Sequence, residues 1–202
     1  MSPRPSRAAE RRPQILEAAA RVIAARGLDG TRLSDVAEEA GVSVGTVQHY
    51  FRSRSRLLME AFAFVNGRAQ ERWLDAASEE PDPWGQLIAL VEIVVRDPRS
   101  FRERWRPWLE FWAAYAGDPT LGPQLGEAYD CWREPMRRAI LTGISHGLFR
   151  PRMPPEDIVD RTLATFDGLA LHVLLDVPGA SVERMRHLLV SGLAHDLGLL
   201  EP

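Results

Sequence analysis

The chain has 202 residues, of which 45% are hydrophobic and 26% charged, so it can form one packed body or a small domain joined to a larger one. We expect a cytoplasmic protein without disulfides or membrane spans, because the apolar stretches are too short for a bilayer, the N-terminus lacks the apolar segment of a signal peptide, and Cys131 is the single cysteine. The net charge of −3 is unevenly distributed along the chain. Residues 1–60 contain 10 Arg and 7 acidic residues, whereas the remaining residues contain 15 Arg and 21 acidic residues. A basic N-terminal segment on an otherwise acidic protein is typical of local contact with nucleic acid.

Helical periodicity runs through nearly the whole chain, and no sustained alternation of apolar and polar residues predicts a strand. Proline is tolerated in the first turn of a helix and glycine commonly ends one, so these residues mark the boundaries. The predicted helices cover about 13–26, 33–40, 44–50, 54–79, 83–96, 98–116, 120–147, 155–176 and 181–197, with kinks or breaks expected at Pro107 and Pro135. The expected fold class is therefore all-α.

Residues 33–50 have the spacing of two short helices that cross through a tight turn. Gly41 can adopt the left-handed conformation that ends the first of these helices. Ser43 can cap the second by accepting a hydrogen bond from the backbone amide of about Gly45 or Thr46. The start of that helix would then present free amides and a positive dipole to a phosphate group. This pattern predicts a helix-turn-helix.

With these motifs the chain resembles the TetR family of transcriptional regulators. The resemblance runs from residue 11 to about 60, through GVSVGTVQHYF and RSRSRLLMEAF. Residues 105–198, which include WRPWLEFWAAYAGDPTL, GISHGLFRP and FDGLALHVLLD, are similar to the BetI-type branch. The resemblance implies a three-helix DNA-binding domain over 11–71, joined by a long helix to an effector-binding and dimerisation domain over 72–202. It implies about nine helices and no cofactor.

The resemblance also implies which side chains meet double-stranded DNA. They are Thr46, Gln48 and His49 in the major groove, and Thr31, Ser43, Tyr50 and Arg54 near the DNA backbone. The Gln48 amide can donate and accept at once, as adenine requires. The family commonly has Tyr at the position of Gln48 and Lys at that of Arg54, so only the first difference is expected to change operator preference. For each polar residue, a solvated surface position is the alternative.

Aromatic residues are concentrated in the C-terminal half of the chain. Most of them are expected to fill the core between helices. Some would line an effector cavity, since such cavities are mainly apolar with a few polar groups. The candidates are Trp105, Trp108, Trp112, Trp132, Phe166 and His172. Relatives in the BetI-type branch respond to choline-like molecules, so an aromatic cage for a quaternary ammonium group is one form of this site.

Apolar residues also recur at helical spacing along the last two predicted helices. Two such stripes predict a helical hairpin that pairs with the same hairpin of a second copy. The alternative is that both stripes close the core of a single subunit. The dimer-interface candidates are Val159, Leu163, Phe166, Ala170, Val173, Val182, Met185, Leu189 and Leu193.

The function expected from these features is repression from a palindromic operator, relieved by a small-molecule effector; activation stays open. A serine hydrolase and an architectural DNA-binding protein are the two alternatives. The segments 41–45 and 143–147 both fit the G-x-S-x-G pattern of a serine hydrolase, but neither follows a predicted strand, as that motif requires. An architectural DNA-binding protein should be basic throughout, whereas the sequence pI is about 6.0. The five histidines show no metal-binding spacing, so no metal site is expected.

Overall fold

The computed structural model describes residues 7–96, 101–117 and 122–199, and within these ranges the chain forms helices and connecting turns without a strand. The all-α prediction is confirmed. The helices are α1 Arg7–Gly30, α2 Leu33–Glu39, α3 Val44–Phe51, α4 Arg54–Ser78, α5 Pro83–Val95, α6 Phe101–Gly117, α7 Gly122–Ser145, α8 Pro155–Leu174 and α9 Val182–Asp196. None of these helices combines the length and the apolar character that crossing a membrane requires.

Local signals explain most of the helix boundaries. Gly27 interrupts α1 at φ 74° and ψ 170°, close to the predicted end of the first helix. Asp82 caps α5 by accepting from two backbone amides, with Pro83 in the first turn. The breaks expected at Pro107 and Pro135 do not occur, because the helix continues through both. Packing of the buried faces of these helices outweighs the poor helix propensity of proline.

The described residues divide into two compact units. The first unit comprises residues 1–68 and 106–122, and the second comprises residues 69–105 and 123–202. The expected division after residue 71 is linear, so it does not include the return of residues 106–122 to the first unit. Aromatic packing accounts for this return: the Phe62 ring lies 4.2 Å from that of Phe111 and 4.8 Å from that of Trp108, between centroids.

The second unit has a core formed by its helices and two stacked indoles. Trp73 and Trp132 lie with their ring centroids 5.9 Å apart, and α8 packs against α9. The apolar stripes of α8 and α9 face this core: Val159, Leu163, Phe166, Ala170, Val182, Met185, Leu189 and Leu193 are buried within the single chain, and Val173 is half-buried. This burial favours the alternative interpretation, in which the stripes close the core of the subunit. A dimer would therefore have to use other side chains of these helices.

Candidate nucleic-acid interface

Helices α2 and α3 form the predicted helix-turn-helix. Gly41 adopts φ +64° immediately after α2, the left-handed conformation that favours glycine. The Val42 backbone amide then donates to the Ala37 carbonyl at 2.9 Å, which closes the tight turn. Val36 on α2 and Val47 on α3 are fully buried, so they fill the small core between the two helices. The turn thereby fixes the orientation of α3 relative to α2.

Ser43 is the N-cap of α3, as the sequence predicts. Its hydroxyl oxygen accepts from the Thr46 backbone amide at 3.0 Å. The same hydroxyl lies 2.8 Å from the Thr46 hydroxyl. One orphan amide of the helix is thus satisfied, and two hydroxyl groups are gathered at an exposed helix N-terminus, whose partial positive charge favours an anion.

Helix α3 is two-sided. Val47 and Phe51 face inward and are fully buried, whereas Gly45, Gln48 and His49 are exposed. The His49 ring contacts the half-buried Tyr50 ring edge-on, with 5.6 Å between centroids. An amide and an imidazole therefore project from the outer face of the helix, where both can donate and accept hydrogen bonds to base edges.

Two residues expected near the DNA backbone have other partners. Thr31 is 1% exposed, and its hydroxyl donates to the Gly27 carbonyl at 2.7 Å, so its side chain is not available to a phosphate. Arg54 is half-buried; its Nε donates to the Thr31 carbonyl at 2.7 Å, and a terminal nitrogen donates to the Leu28 carbonyl. Arg54 thus adds charged donors to two carbonyls beside the interruption of α1 at Gly27, of which the Leu28 carbonyl also accepts from the Thr31 backbone amide at 3.1 Å. The expected contacts of Thr31 and Arg54 are revised accordingly.

Five arginines of the first unit form ion pairs with carboxylates of the same unit. Their ion pairs join Arg12 to Glu60, Arg21 to Glu39, Arg26 to Asp35, Arg56 to Glu60 and Arg68 to Glu17. The Arg32 backbone amide and the Arg26 guanidinium lower the pKa of Asp35, so this carboxylate stays ionised. These guanidinium groups therefore each face a carboxylate, while the excess of 10 Arg over 7 acidic residues in residues 1–60 is unchanged.

Known proteins share both the DNA-binding motif and the helical second half. Residues 15–61 match the family described as "Bacterial regulatory proteins, tetR family", and residues 83–198 match "BetI-type transcriptional repressor, C-terminal". The chain belongs to the TetR family of transcriptional regulators.

Three relatives illustrate this membership of the TetR family. The regulator PksA of Bacillus subtilis is 30% identical over 183 residues, covering 90% of this chain and 87% of PksA. The regulator BetI of Burkholderia thailandensis is 35% identical over 114 residues, covering 55% of this chain and 57% of BetI. A transcriptional regulator of Saccharomonospora viridis, solved in complex with choline, is 32% identical with a TM-score of 0.82, covering 93% of this chain and 97% of that one.

The matched TetR families and relatives are transcriptional regulators and not enzymes, which removes the hydrolase alternative. The second G-x-S-x-G match has a packing role instead. A Cβ on Gly143 would lie 2.1 Å from the Phe149 ring, so the glycine makes room for that side chain. The Ser145 hydroxyl donates to the Thr142 carbonyl at 2.8 Å within α7.

The six effector-pocket candidates of this TetR-family chain divide between the units. Trp108 and Trp112 lie in the first, with ring centroids 6.1 Å apart. The other four lie in the second unit and have separate surroundings there. The Trp105 Nε1 donates to the Val94 carbonyl at 3.2 Å, and the Trp132 ring stacks on that of Trp73. Phe166 is 3% exposed. His172 lines a cavity of about 230 Å³ at the turn between α8 and α9. Their assignment to one effector site stays a prediction.

Sequence reasoning missed an acidic group in the second unit. Asp167 lies mostly buried on α8, and the Tyr129 hydroxyl of α7 donates to its Oδ2. Burial raises the pKa of Asp167 to about 6, against the opposing effect of that hydrogen bond. No ion pair with Asp167 occurs among the described residues. The cation nearest in sequence to Tyr129, Arg133, is paired with Asp130 and Asp160. Asp167 is therefore a carboxylate to which no described residue supplies a counter-charge.

Proposed function

We propose that this TetR-family regulator is a cytoplasmic homodimeric repressor that binds a palindromic operator and releases it when a small molecule binds to its second unit. The observation that carries the proposal is the two-sided α3, anchored by Val47 and Phe51 and presenting Gln48 and His49 outward. Gln48 would read adenine through a bidentate pair of hydrogen bonds. The Ser43 and Thr46 hydroxyls at the N-terminus of α3 would face the DNA backbone or a neighbouring base edge.

A homodimer would hold two copies of α3 about 34–36 Å apart, matching successive major-groove faces of the operator. The outer face of α8 supports such pairing, because Ala164 and Gly168 are exposed and lie one helical turn apart. Small residues at this spacing let a second helix approach closely. A Cβ on Gly168 would meet nothing within 4 Å in the subunit, so a larger side chain fits the monomer and would obstruct only the pairing.

We further propose that the effector is a small organic cation. Asp167 supports this class, because a cation would supply the counter-charge that the surrounding protein lacks. The indole of Trp132, one turn along α7 from Tyr129, could add a cation-π contact. The choline complex of the Saccharomonospora viridis relative, which is alike over most of both chains, points to the same chemistry.

Helix α4 offers the route by which the effector would act on DNA binding. It begins at Arg54 in the first unit and runs to Ser78 in the second. A ligand that favours a different position of α4 would move the Arg54 guanidinium and, with it, the carbonyls of Leu28 and Thr31. Operator affinity would then fall by the ratio of the ligand's affinities for the two states.

Selection of operators from a random duplex library by the purified protein tests the proposal. We expect a palindromic consensus, and choline or a related alkylammonium ion should release the selected duplex while raising the Tm. Tighter DNA binding on adding the cation would identify an activator. The absence of any selected sequence would contradict operator recognition, and a dimeric Gly168→Arg variant in sedimentation would contradict the proposed pairing face.

A further inference from the structure

The outer face of α3 continues one residue beyond the helix. Gly45, Gln48, His49 and Arg52 follow one another at helical spacing, and all four are exposed. The Arg52 backbone amide donates to the Gln48 carbonyl at 2.9 Å, which fixes Arg52 over the last turn. The exposed Arg52 side chain therefore starts one residue past the end of the helix that the proposed function assigns to the major groove.

Arg52 is not among the five arginines of the first unit that pair with a carboxylate. Its side chain has neither an ion pair nor a hydrogen bond to any residue that the structure describes. Arg21 and Arg56, by contrast, are also exposed but pair with Glu39 at 2.7 Å and with Glu60 at 2.9 Å. A guanidinium that already faces a carboxylate adds little net attraction for an anion, whereas an uncompensated one attracts phosphate fully.

The backbone at Arg52 gives a second, independent observation. Its φ of 57° lies in the left-handed region, which is disfavoured for residues with a Cβ and is usually occupied by glycine at the end of a helix. The backbone conformation at Arg52 is thus unfavourable, while its side chain forms no ion pair or hydrogen bond with the described residues that would account for it. A role outside the subunit accounts for both features.

We propose that Arg52 contacts a DNA phosphate at the end of α3, while Arg54, which donates to the Leu28 and Thr31 carbonyls, positions the corner between α1 and α2. This inference rests on the proposed function and refines it. The planar guanidinium of Arg52 can form two parallel hydrogen bonds to phosphate oxygens. It would strengthen binding to operator and random DNA equally, because phosphates carry no sequence information.

The test measures affinity against salt concentration for the parent protein and for Arg52→Gln, on a selected operator and on a random duplex. We expect Arg52→Gln to weaken both complexes by the same factor and to reduce the slope of log K against log salt by about 1.8 in a dimer, or about 0.9 for each phosphate contact. The matched control is Arg21→Gln, which removes the same charge from an ion-paired arginine and should leave the slope unchanged.

Two further variants separate a phosphate contact from a structural role. Arg52→Lys should restore most of the slope, and Arg52→Gly should lose it while keeping or raising the Tm, because glycine relieves the left-handed backbone. An unchanged slope in Arg52→Gln, a loss confined to the operator, or a lower Tm in Arg52→Gly would each overturn the inference. If the parent prefers no duplex, the proposed function fails, and the slope on the random duplex still tests Arg52.

Discussion

The two units of this TetR-family regulator place their candidate functional groups in opposite environments. In the first unit, Gln48 and His49 stand on the surface of a short helix, and the buried residues beneath them only fix its position. In the second unit, the distinctive polar group is Asp167, which lies mostly buried with a hydrogen bond from Tyr129. Exposed groups on a helix can be predicted from the local sequence, whereas the environment of a buried charge is set by helices that are distant in sequence. Substitutions in the two units should therefore separate DNA contact from stability in different ways.

The largest effect on stability is expected at Arg54, whose side chain donates hydrogen bonds to backbone carbonyls of the first unit. Arg54→Gln should lower the free energy of unfolding by about 3 kcal/mol, because the part-buried Leu28 and Thr31 carbonyls lose charged donors. Urea denaturation measures this change. A variant with parental stability but weaker DNA binding would return Arg54 to the DNA backbone, where the sequence analysis places it.

The next effect tests the buried charge of the second unit. The folded state holds the Asp167 proton more tightly than the unfolded chain, so stability present below about pH 4 is lost as the pH rises through about 6. Asp167→Asn should therefore raise the free energy of unfolding by about 2 kcal/mol at pH 8, and the gain should vanish near pH 4. Urea denaturation across this pH range measures the difference.

The same variant should bind choline more weakly while being more stable, since the counter-charge for the cation is gone. The matched control is Asp160→Asn on the same helix, whose exposed carboxylate pairs with Arg133. It should change stability by less than about 1 kcal/mol at any pH. Parental choline affinity in Asp167→Asn would remove Asp167 from the effector site.

A smaller and purely functional effect is expected on the surface of the first unit. Gln48→Ala should weaken operator binding about tenfold for each half-site and leave random DNA and the Tm unchanged, because the side chain contributes only to base reading. Competition between the operator and a random duplex measures the difference. Equal losses on both duplexes would assign Gln48 to the phosphate backbone.

The smallest effect concerns the cap of α3. Ser43→Ala removes the acceptor for the Thr46 amide and should cost about 1 kcal/mol of stability. Ser43→Asp should retain the cap but weaken DNA binding, since its charge would repel a phosphate at the helix N-terminus. Equal DNA affinity for the Asp and Ser proteins would place that terminus away from the DNA backbone.

The helix-turn-helix could be predicted because its determinants are local: Gly41 ends one helix and Ser43 starts the next. Helical periodicity predicted the nine helices of the described residues for the same reason. Helical periodicity could not distinguish a subunit core from a dimer interface. An apolar stripe such as that of Val159 and Leu163 indicates that one face of the helix is buried, but it does not indicate whether the same subunit or a second copy buries it. The role of Arg54 depends on an interruption of α1 at Gly27 that lies 27 residues away. The burial of Asp167 and its hydrogen bond from Tyr129 could not be predicted, because they depend on the packing of α7 against α8.

The bond from Arg54 back to α1 has a consequence for building chimeric regulators. Grafting helices α1 to α3 onto a foreign sensor by cutting after Phe51 would discard Arg54, which donates to the Leu28 and Thr31 carbonyls. A junction further along α4 would keep Arg54, but Phe62 would still lose the rings of Phe111 and Tyr115, which come from residues 106–122. The DNA-binding unit that can be transferred is therefore discontinuous in sequence. A chimeric regulator must carry both residues 1–68 and residues 106–122 to keep that unit folded.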